Sequence, residues 1–274
     1  MRGSAWQRSC LGYKERFVDD FEFNGIRVRQ FPSRSVFEKA VSDAIGANVL
    51  DASDDEADND RVPDTAFTVW DASVLLGIYA SRKDVWSRLT KKKAPPNCSR
   101  PIVTLELGAG TGVASLLFAT SEVVRETKYT YNMMMTDLQS AINFTRLNVH
   151  ANIHNIPNNV TITTQPLRWG RVDDMDALLR DIGHPDILFG ADLLYTCDKS
   201  VISALAETVV MLTGRVAVFA VCKMHRPESI DFFVSLIECN FDVRHIPASS
   251  VQMDLLASDD DFAVLELWRR KSRI

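Results

Sequence analysis

One twelve-residue stretch, residues 102–113 with the sequence IVTLELGAGTGV, constrains the fold more than any other part of this chain. It opens with four apolar or β-branched residues, a composition typical of a buried parallel strand. Alternate glycines follow at Gly108, Gly110 and Gly112, and an apolar run at residues 113–119 comes directly after them. A strand, a glycine-rich turn and a helix in this order form the first unit of a nucleotide-binding α/β sheet.

The spacing of these glycines distinguishes between classes of ligand. A dinucleotide fingerprint needs G-x-G-x-x-G, but Val113 stands where the third glycine would be, and no Gly-Lys-Ser/Thr of a phosphate-binding loop follows. Glu106 lies two positions before Gly108, and a carboxylate at a strand tip would repel a pyrophosphate and attract a cationic amine. The turn therefore favours a cationic ligand, and a plain glycine-rich turn without any ligand is the alternative.

Length and charge exclude several classes of protein. The 274 residues fit one large α/β domain, or at most two small ones. The net charge of −5 argues against a general nucleic-acid binder, which would need a basic face. No apolar run approaches the length of a membrane span, and no secretory signal is visible in the first ten residues, so we expect no membrane partner.

The cysteines predict neither a disulfide framework nor a metal site. The five cysteines are scattered, with no C-x-x-C pair and no cysteine–histidine spacing of a zinc site. A reducing compartment follows as the expectation, which means the cytoplasm, with the nucleus as an additional location.

Residues 1–68 are predicted to be an N-terminal extension that precedes the α/β domain. Two alternating runs flank Asn24-Gly25, a dipeptide that favours type I′ turns, so residues 21–28 predict a β-hairpin. A short helix is expected at residues 35–45. Residues 51–64 are strongly acidic and nearly free of large apolar side chains, which predicts a flexible, solvated loop.

The remainder, residues 69–274, predicts a Rossmann-like α/β sheet of seven strands. One helix is expected over residues 71–89, and a loop at residues 91–100, which contains Pro95-Pro96, ends it. Strands and helices then alternate, which implies a mostly parallel sheet. The final two strands have no helix between them, so a closing hairpin should make the last strand antiparallel. Strands are predicted at residues 102–105, 129–136, 160–163, 185–191, 215–222, 241–246 and 262–268, and helices at 113–119, 140–149, 172–182, 199–212 and 228–239.

Two residues at predicted strand ends have both a binding and a structural interpretation. Asp137 follows the second strand of the sheet, where dinucleotide folds place an acid that pairs with ribose hydroxyls, but it also precedes a helix that it could cap. Trp169 follows the third strand and could stack on an adenine or belong to the core. The residues alone leave both alternatives open.

Taken together, six motifs resemble the lysine methyltransferases sometimes called methyltransferase family 16, which belong to the seven-strand S-adenosylmethionine-dependent class. The glycine-rich motif alone resembles only the wider class, and the W-D-A, L-x-W-G and D-x-x-Y elements are more specific. The resemblance runs in order from about Val69 to the C-terminus. The motifs are VWDA at 69–72, ELGAGTG at 106–112, TDL at 136–138, NVHAN at 148–152, LRWG at 167–170 and GADLLY at 190–195.

The resemblance implies S-adenosylmethionine as the cofactor and assigns its binding residues. Glu106, Gly108 and Gly110 would line its methionine and ribose part, and Asp137 would hold the ribose hydroxyls. A valine at Gly110 should abolish binding by filling the approach path of the cofactor. Three further residues would contact the cofactor: Trp70 by closing over it, Trp169 by flanking the adenine and Ala191 through its backbone.

Asp192 and Tyr195 form the D-x-x-Y pair, which the resemblance places where the acceptor meets the methyl group. A carboxylate would keep a nearby lysine amine protonated, so we assign Asp192 to orienting the acceptor nitrogen and not to strong general-base work. Tyr195 would form a hydrogen bond and line the acceptor channel. The alternatives are a helix cap for Asp192 and a core aromatic for Tyr195.

The resemblance implies a protein substrate methylated on lysine and a monomeric enzyme. A small-molecule acceptor and a cofactor-binding interaction module without catalysis are the competing hypotheses. The N6-adenine type is disfavoured because its N-P-P-Y-like loop is absent, and the intact acidic residues and Tyr195 argue against loss of catalysis.

Overall fold

The computed structural model describes residues 20–45, 64–90, 100–223, 227–251 and 261–271. The predicted acidic loop lies outside these ranges except for its last residue, Asp64, and the predicted loop at 91–100 lies outside them except for Arg100.

The N-terminal hairpin is present as predicted. Strands β1 (Phe21–Phe23) and β2 (Ile26–Val28) pair in antiparallel fashion, with Phe23 opposite Ile26. Asn24 and Gly25 both have positive φ angles, 47° and 81°, which is the conformation that a type I′ turn requires. One face of the hairpin is apolar, because Phe21, Ile26 and Val28 are buried.

The central sheet has seven strands in the order β5-β4-β3-β6-β7-β9-β8, and it confirms the predicted fold class. The pairings among β3, β4, β5, β6 and β7 are parallel, whereas β9 is antiparallel to both of its neighbours, β7 and β8. The last strand of the chain is therefore inserted one position from the edge. The strands are β3 (Ile102–Leu107), β4 (Tyr131–Asp137), β5 (Val160–Pro166), β6 (Ile187–Ala191), β7 (Val216–Cys222), β8 (Phe241–Pro247) and β9 (Phe262–Arg269).

Helices on both faces of the sheet close two apolar layers over it. All six residues of β3 are buried, as expected of a central parallel strand. One layer packs Leu76 and Phe118 against Phe189, and the other packs Leu205 and Phe233 against Phe219. The helices in the described ranges are α1 (Arg34–Ile45), α2 (Asp71–Ala80), α3 (Lys83–Thr90), α4 (Val113–Ala119), α5 (Glu122–Arg125), α6 (Gln139–Ala151), α7 (Val172–Ile182), α8 (Lys199–Leu212) and α9 (Pro227–Ile237).

The prediction of one helix over residues 71–89 is wrong, because α2 ends at Ala80 and α3 begins at Lys83. Ser81 is the C-cap of α2, where its N–H reaches the carbonyls of Gly77 and Ile78, and the N–H of Arg82 donates to the carbonyl of Tyr79 at 3.2 Å. Such bonds to the third residue back tighten and end the last turn of a helix. Trp86 and Leu89 of α3 are buried in one of the two apolar layers.

Candidate active site

Four predicted motifs meet at the carboxyl edge of the sheet. β3 and β6 are neighbours although two strands and their helices separate them in sequence, so the sheet changes its winding direction between them. Ligands of open α/β sheets bind at such a switch point. The strands β3, β4, β5 and β6 run parallel and end at Leu107, Asp137, Pro166 and Ala191, which brings the residues that follow them to one edge.

The glycine-rich loop at residues 108–112 is held by the last residue of β4 and by the middle of α6. The N–H of Gly110 donates to Oδ2 of Asp137 at 2.7 Å. The carbonyl of Gly110 accepts from the Thr145 hydroxyl at 2.7 Å. Both backbone groups of the central glycine are thus fixed, which preorganises the loop for a ligand.

Asp137 does not cap the helix that follows it. The N-cap position of α6 is Leu138, whose side chain accepts no hydrogen bond, and Oδ1 of Asp137 accepts only from the adjacent N–H of Leu138, at 2.7 Å. Burial raises the pKa of Asp137, although the N–H groups of Gly110 and Leu138 act in the opposite direction. Each carboxylate oxygen keeps a second lone pair with which it could accept from a diol.

Glu106 lies beneath the loop and is only 2% exposed. Its Oε2 accepts from the N–H of Ser115 in α4 at 3.2 Å. Burial raises the pKa of Glu106 to about 7 against the opposing hydrogen bond from Ser115, and the charge of Asp137 raises it further. Among the described residues, neither Glu106 nor Asp137 has a lysine or arginine partner. A buried acid beside a half-buried one, with no basic partner among the described residues, fits a cationic ligand.

Gly110 is required by the protein fold itself. Its φ angle is +51°, and a Cβ there would lie 2.9 Å from the carbonyl oxygen of Ala66. Ala66 belongs to a 3₁₀ turn at Asp64–Phe67 in the N-terminal part of the chain. A valine at this position would therefore collide with this turn even without a ligand, which is a second reason to expect a loss of binding beside the predicted block of the cofactor's approach.

Gly108 is the point where three motifs touch. A Cβ on Gly108 would lie 2.6 Å from Cδ2 of Leu193 and 3.3 Å from Cζ2 of Trp169. Leu193 belongs to the D-x-x-Y segment and Trp169 to the L-x-W-G segment. Trp169 is half-buried, so part of its ring remains accessible beside the loop, as a base-flanking residue requires.

Asp192 has a backbone conformation that is rare for a residue other than glycine. Its φ angle is +55°, directly after β6, and its N–H donates to the carbonyl of Ala220 in β7 at 2.9 Å. Aspartate tolerates the left-handed region better than most residues, and such strain is concentrated at functional sites. Asp192, Tyr195 and Ala191 are all half-buried, while Leu193 is buried.

Trp70 lies at the same corner, immediately before α2. Its Nε1–H donates to the carbonyl of Thr65 at 2.8 Å, so the indole is anchored to the turn that covers Gly110. The structure thereby links the W-D-A motif to the glycine-rich loop through the 3₁₀ turn.

Sequence reasoning assigned no role to three residues that shape this edge: Leu193, Thr145 and Ala66. Thr145 lies three positions before Asn148 on α6, so both can face the loop, and this helical spacing was the signal available. Leu193 and Ala66 act through contacts between distant segments, for which the sequence carries no local signal.

The described ranges contain neither a candidate metal site nor a candidate membrane-spanning helix. No group of three histidine, cysteine, aspartate or glutamate residues there is placed to hold a metal ion. No helix in those ranges has the length and apolar character needed to cross a membrane.

Comparisons with known proteins identify the family to which these motifs belong. A family model described as lysine methyltransferase matches residues 50–240, well over half of the chain. The chain is 28% identical over 182 residues to Protein N-lysine methyltransferase METTL21A of Danio rerio, covering 66% of this chain and 71% of that protein. It is also 28% identical over 145 residues to Protein-lysine N-methyltransferase EFM3 of Saccharomyces cerevisiae, covering 52% of this chain but only 39% of that protein.

A similar solved structure extends the agreement to the fold. It is described as a putative class I S-adenosylmethionine-dependent methyltransferase from Listeria monocytogenes. The TM-score is 0.50 at 12% sequence identity, and the match covers 77% of this chain and 65% of that one. At this identity the likeness concerns the arrangement of strands and helices.

Proposed function

Because the chain belongs to the lysine methyltransferase family, we propose that it transfers a methyl group from S-adenosylmethionine to the side-chain amine of a lysine in a protein substrate. The family match confirms the resemblance inferred from the motifs. It is the observation that carries the proposal, and the geometry at the carboxyl edge of the sheet supports it.

We propose that the cofactor is held where the three motifs meet at Gly108. Glu106 and Asp137 supply the negative charge for its cationic part and acceptors for its hydroxyls. Trp169 flanks the adenine, and Trp70 and Ala191 contact the cofactor from α2 and β6. When bound, S-adenosylmethionine supplies a methyl group already activated by a sulfonium, so the residues of the chain act mainly by alignment.

Asp192 and Tyr195 are the residues that we assign to binding the acceptor amine. A free lysine amine has a pKa of about 10.4 and is protonated at neutral pH, so it must lose its proton near the site before it can attack. Desolvation lowers an amine pKa, whereas a carboxylate raises it. Asp192 therefore orients the nitrogen through a hydrogen bond, and Tyr195 lines the channel through which the lysine enters.

The remaining features follow from the same proposal. Residues 1–68 are assigned to an N-terminal extension and residues 69–274 to the methyltransferase domain. Cys197 and Cys239 are exposed and form no disulfide within the described ranges, which suits the cytoplasm or nucleus. The enzyme works as a monomer on a protein, without nucleic acid or membrane.

The experiment that tests the proposal is transfer of label from S-adenosylmethionine to a cell extract by the purified protein, with products separated by mass. Label should appear on protein lysines. Asp192→Asn should keep much of the affinity for S-adenosylmethionine and lower transfer by about a hundredfold or more, because an aligned polar group at the reacting centre is lost. Asp173→Asn, an exposed substitution on α7, is the matched control and should transfer at the wild-type rate.

Other outcomes would redirect the assignment. Wild-type transfer by Asp192→Asn would leave Asp192 without a role at the acceptor. Label that appears only in small molecules would replace the protein substrate by a small-molecule acceptor. Cofactor binding without any transfer would indicate an interaction module.

A further inference from the structure

Two asparagines of the NVHAN motif bind the backbone of the N-terminal hairpin. Oδ1 of Asn152 accepts from the N–H of Arg27 at 3.0 Å, and its Nδ2 donates to the carbonyl of Arg27 at 2.7 Å. Oδ1 of Asn148 accepts from the N–H of Arg29 at 2.9 Å, and its Nδ2 donates to the carbonyl of Arg29 at 3.2 Å. Both asparagines are buried, at 0% and 1% exposure, so their side-chain amides form these hydrogen bonds out of reach of solvent.

The distance between the two asparagines along α6 matches the distance between alternate residues of a β-strand. Asn148 and Asn152 are four residues apart on α6, which is about 6 Å along a helix axis. Arg27 and Arg29 are two residues apart on an extended segment, which is about 6.7 Å. Alternate residues of a strand direct their backbone groups to the same edge. The two asparagines therefore bind the edge of β2 that is not paired with β1. The two side chains take the place of a third strand.

Asn148, unlike Asn152, also binds the glycine-rich loop. Its Nδ2 also donates to the carbonyl of Thr111 in the glycine-rich loop, at 3.1 Å. The second donor of Asn152 goes instead to the carbonyl of Asn148, at 2.8 Å, within α6. One side chain therefore bridges the hairpin and the loop, which are far apart in sequence.

The apolar face of the hairpin reinforces this bridge. Ile26 and Val28 share one buried cluster with Ala109 of the loop and Val113 of α4. A shift of the hairpin would thus disturb the packing beneath the loop as well as its hydrogen bond to Asn148.

We propose that Asn148 is a positioning residue that couples docking of the N-terminal hairpin to the shape of the glycine-rich loop. The coupling is reciprocal, because two events that share one side chain change each other's equilibrium by the same factor. Binding of a ligand at the loop should therefore tighten the hairpin. This inference rests on the proposed function for the identity of the ligand, and on the contacts of Asn148 alone for the coupling.

The test compares Asn148→Asp with Asn152→Asp. Each substitution keeps an acceptor for the hairpin N–H and removes two N–H donations, but only Asn148→Asp removes the bond to Thr111. Amide hydrogen exchange without ligand is the first readout. Exchange at Gly110 and Gly112 should accelerate clearly more in Asn148→Asp than in Asn152→Asp, because only the first variant loses the direct bond to the loop.

Calorimetry with S-adenosylhomocysteine is the second readout. Asn148→Asp should weaken binding by about tenfold, the effect of one net hydrogen bond, and raise the KM for S-adenosylmethionine more than it lowers kcat. S-adenosylhomocysteine should slow exchange at Arg29 in the wild type and in Asn152→Asp but not in Asn148→Asp. A merely structural role would lower the melting temperature of both variants and leave their affinities equal.

Three results would overturn the coupling: equal affinities of the two variants, unchanged exchange at Gly110 in Asn148→Asp, or no response of Arg29 to bound ligand in the wild type. If the wild type binds no S-adenosylhomocysteine, the proposed function fails, and exchange without ligand still decides the coupling. Should Asn148→Asp not fold, Asn148→Ala against Asn152→Ala gives the same comparison without a buried charge.

Discussion

The N–H of Gly110 donates to the carboxylate of Asp137 at 2.7 Å, so the loop after β3 is fixed to the tip of β4. The acid that the proposed function assigns to the cofactor ribose is therefore also the acid that shapes the cofactor loop. Structure and binding share one side chain at this position.

Replacing Asp137 should damage stability and binding together. In Asp137→Asn the amide can accept from only one of the N–H groups of Gly110 and Leu138, and its NH₂ group then faces the other. An unsatisfied buried donor costs about 1–3 kcal/mol. We expect a loss of that size in urea denaturation and a clear loss of S-adenosylmethionine affinity by calorimetry. Asp173→Asn, on the exposed face of α7, should change neither, and an Asp137→Asn protein with wild-type affinity would contradict the assignment.

Glu106 predicts a pH dependence of stability with a definite sign. Burial raises its pKa from 4.5 to about 7, so the folded protein favours the protonated acid. The stability that this preference contributes is fully present below pH 4.5 and is lost as the pH rises through 7. The size of the effect is about 3 kcal/mol.

Glu106→Gln should therefore remove this pH dependence. Glutamine resembles the protonated acid, so the variant should match the wild type near pH 4 and be more stable by up to about 3 kcal/mol at pH 8. Its affinity for S-adenosylmethionine should fall, because the negative charge is gone. Denaturant melts at both pH values measure the first effect, with the exposed Glu238→Gln as the control. A variant less stable than the wild type at pH 8 would show that the carboxylate is needed by the fold.

The fold was largely predictable because its signals are periodic. Apolar runs and their breaks located every strand of the central sheet, and α7 and α8 begin and end at the predicted residues. The interruption between α2 and α3 was missed because the apolar pattern continues across it. Ile78 and Tyr79 of α2 are followed seven residues later by Val85 and Trp86 of α3, a spacing that an unbroken helix would also have.

The site was predictable as a set of motifs and not as a set of contacts. Motif spacing brought Asp137, Trp169 and Asp192 to one edge, because parallel strands end together. The partners of Asn148 and Asn152 lie 119 and 125 residues away, so no local pattern announces them. The left-handed backbone of Asp192 likewise depends on the strand beside it.

A buried charge network away from the site offers a test of stability alone. Glu266 of β9 is 0% exposed and accepts from the Tyr79 hydroxyl at 2.7 Å, from Arg88 at 2.6 Å and from the Trp268 indole at 3.0 Å. Burial raises the pKa of Glu266, but the donated hydrogen bonds outweigh burial and hold it below its usual value.

Removing only Arg88 should lower the free energy of unfolding more than removing the charges of both Arg88 and Glu266. Arg88→Met leaves the buried carboxylate of Glu266 without its cation, and because Arg88 is itself 35% exposed we expect a loss of about 1–3 kcal/mol of unfolding free energy. Adding Glu266→Gln to the same chain should recover most of the loss, with cofactor affinity unchanged throughout. Lys83→Met, which breaks an exposed pair with Glu126, is the control and should leave the melting temperature nearly unchanged. A double variant no more stable than Arg88→Met would contradict the ion-pair account.

The backbone of Asp192 allows its conformational strain to be separated from its chemistry. Its φ angle of +55° is unfavourable for alanine by about 1–2 kcal/mol and accessible to glycine at little cost. Asp192→Ala and Asp192→Gly lose the same side-chain contacts, so these contacts cancel in the comparison. We expect the glycine variant to be more stable than the alanine variant by about 1 kcal/mol in denaturant melts, less than the full strain because glycine also gains unfolded-state entropy. Both should lose methyl transfer to a similar degree in single-turnover measurements, since neither carries the carboxylate. If the glycine variant were instead the less stable one, the left-handed turn after β6 would not be the conformation that the active protein keeps.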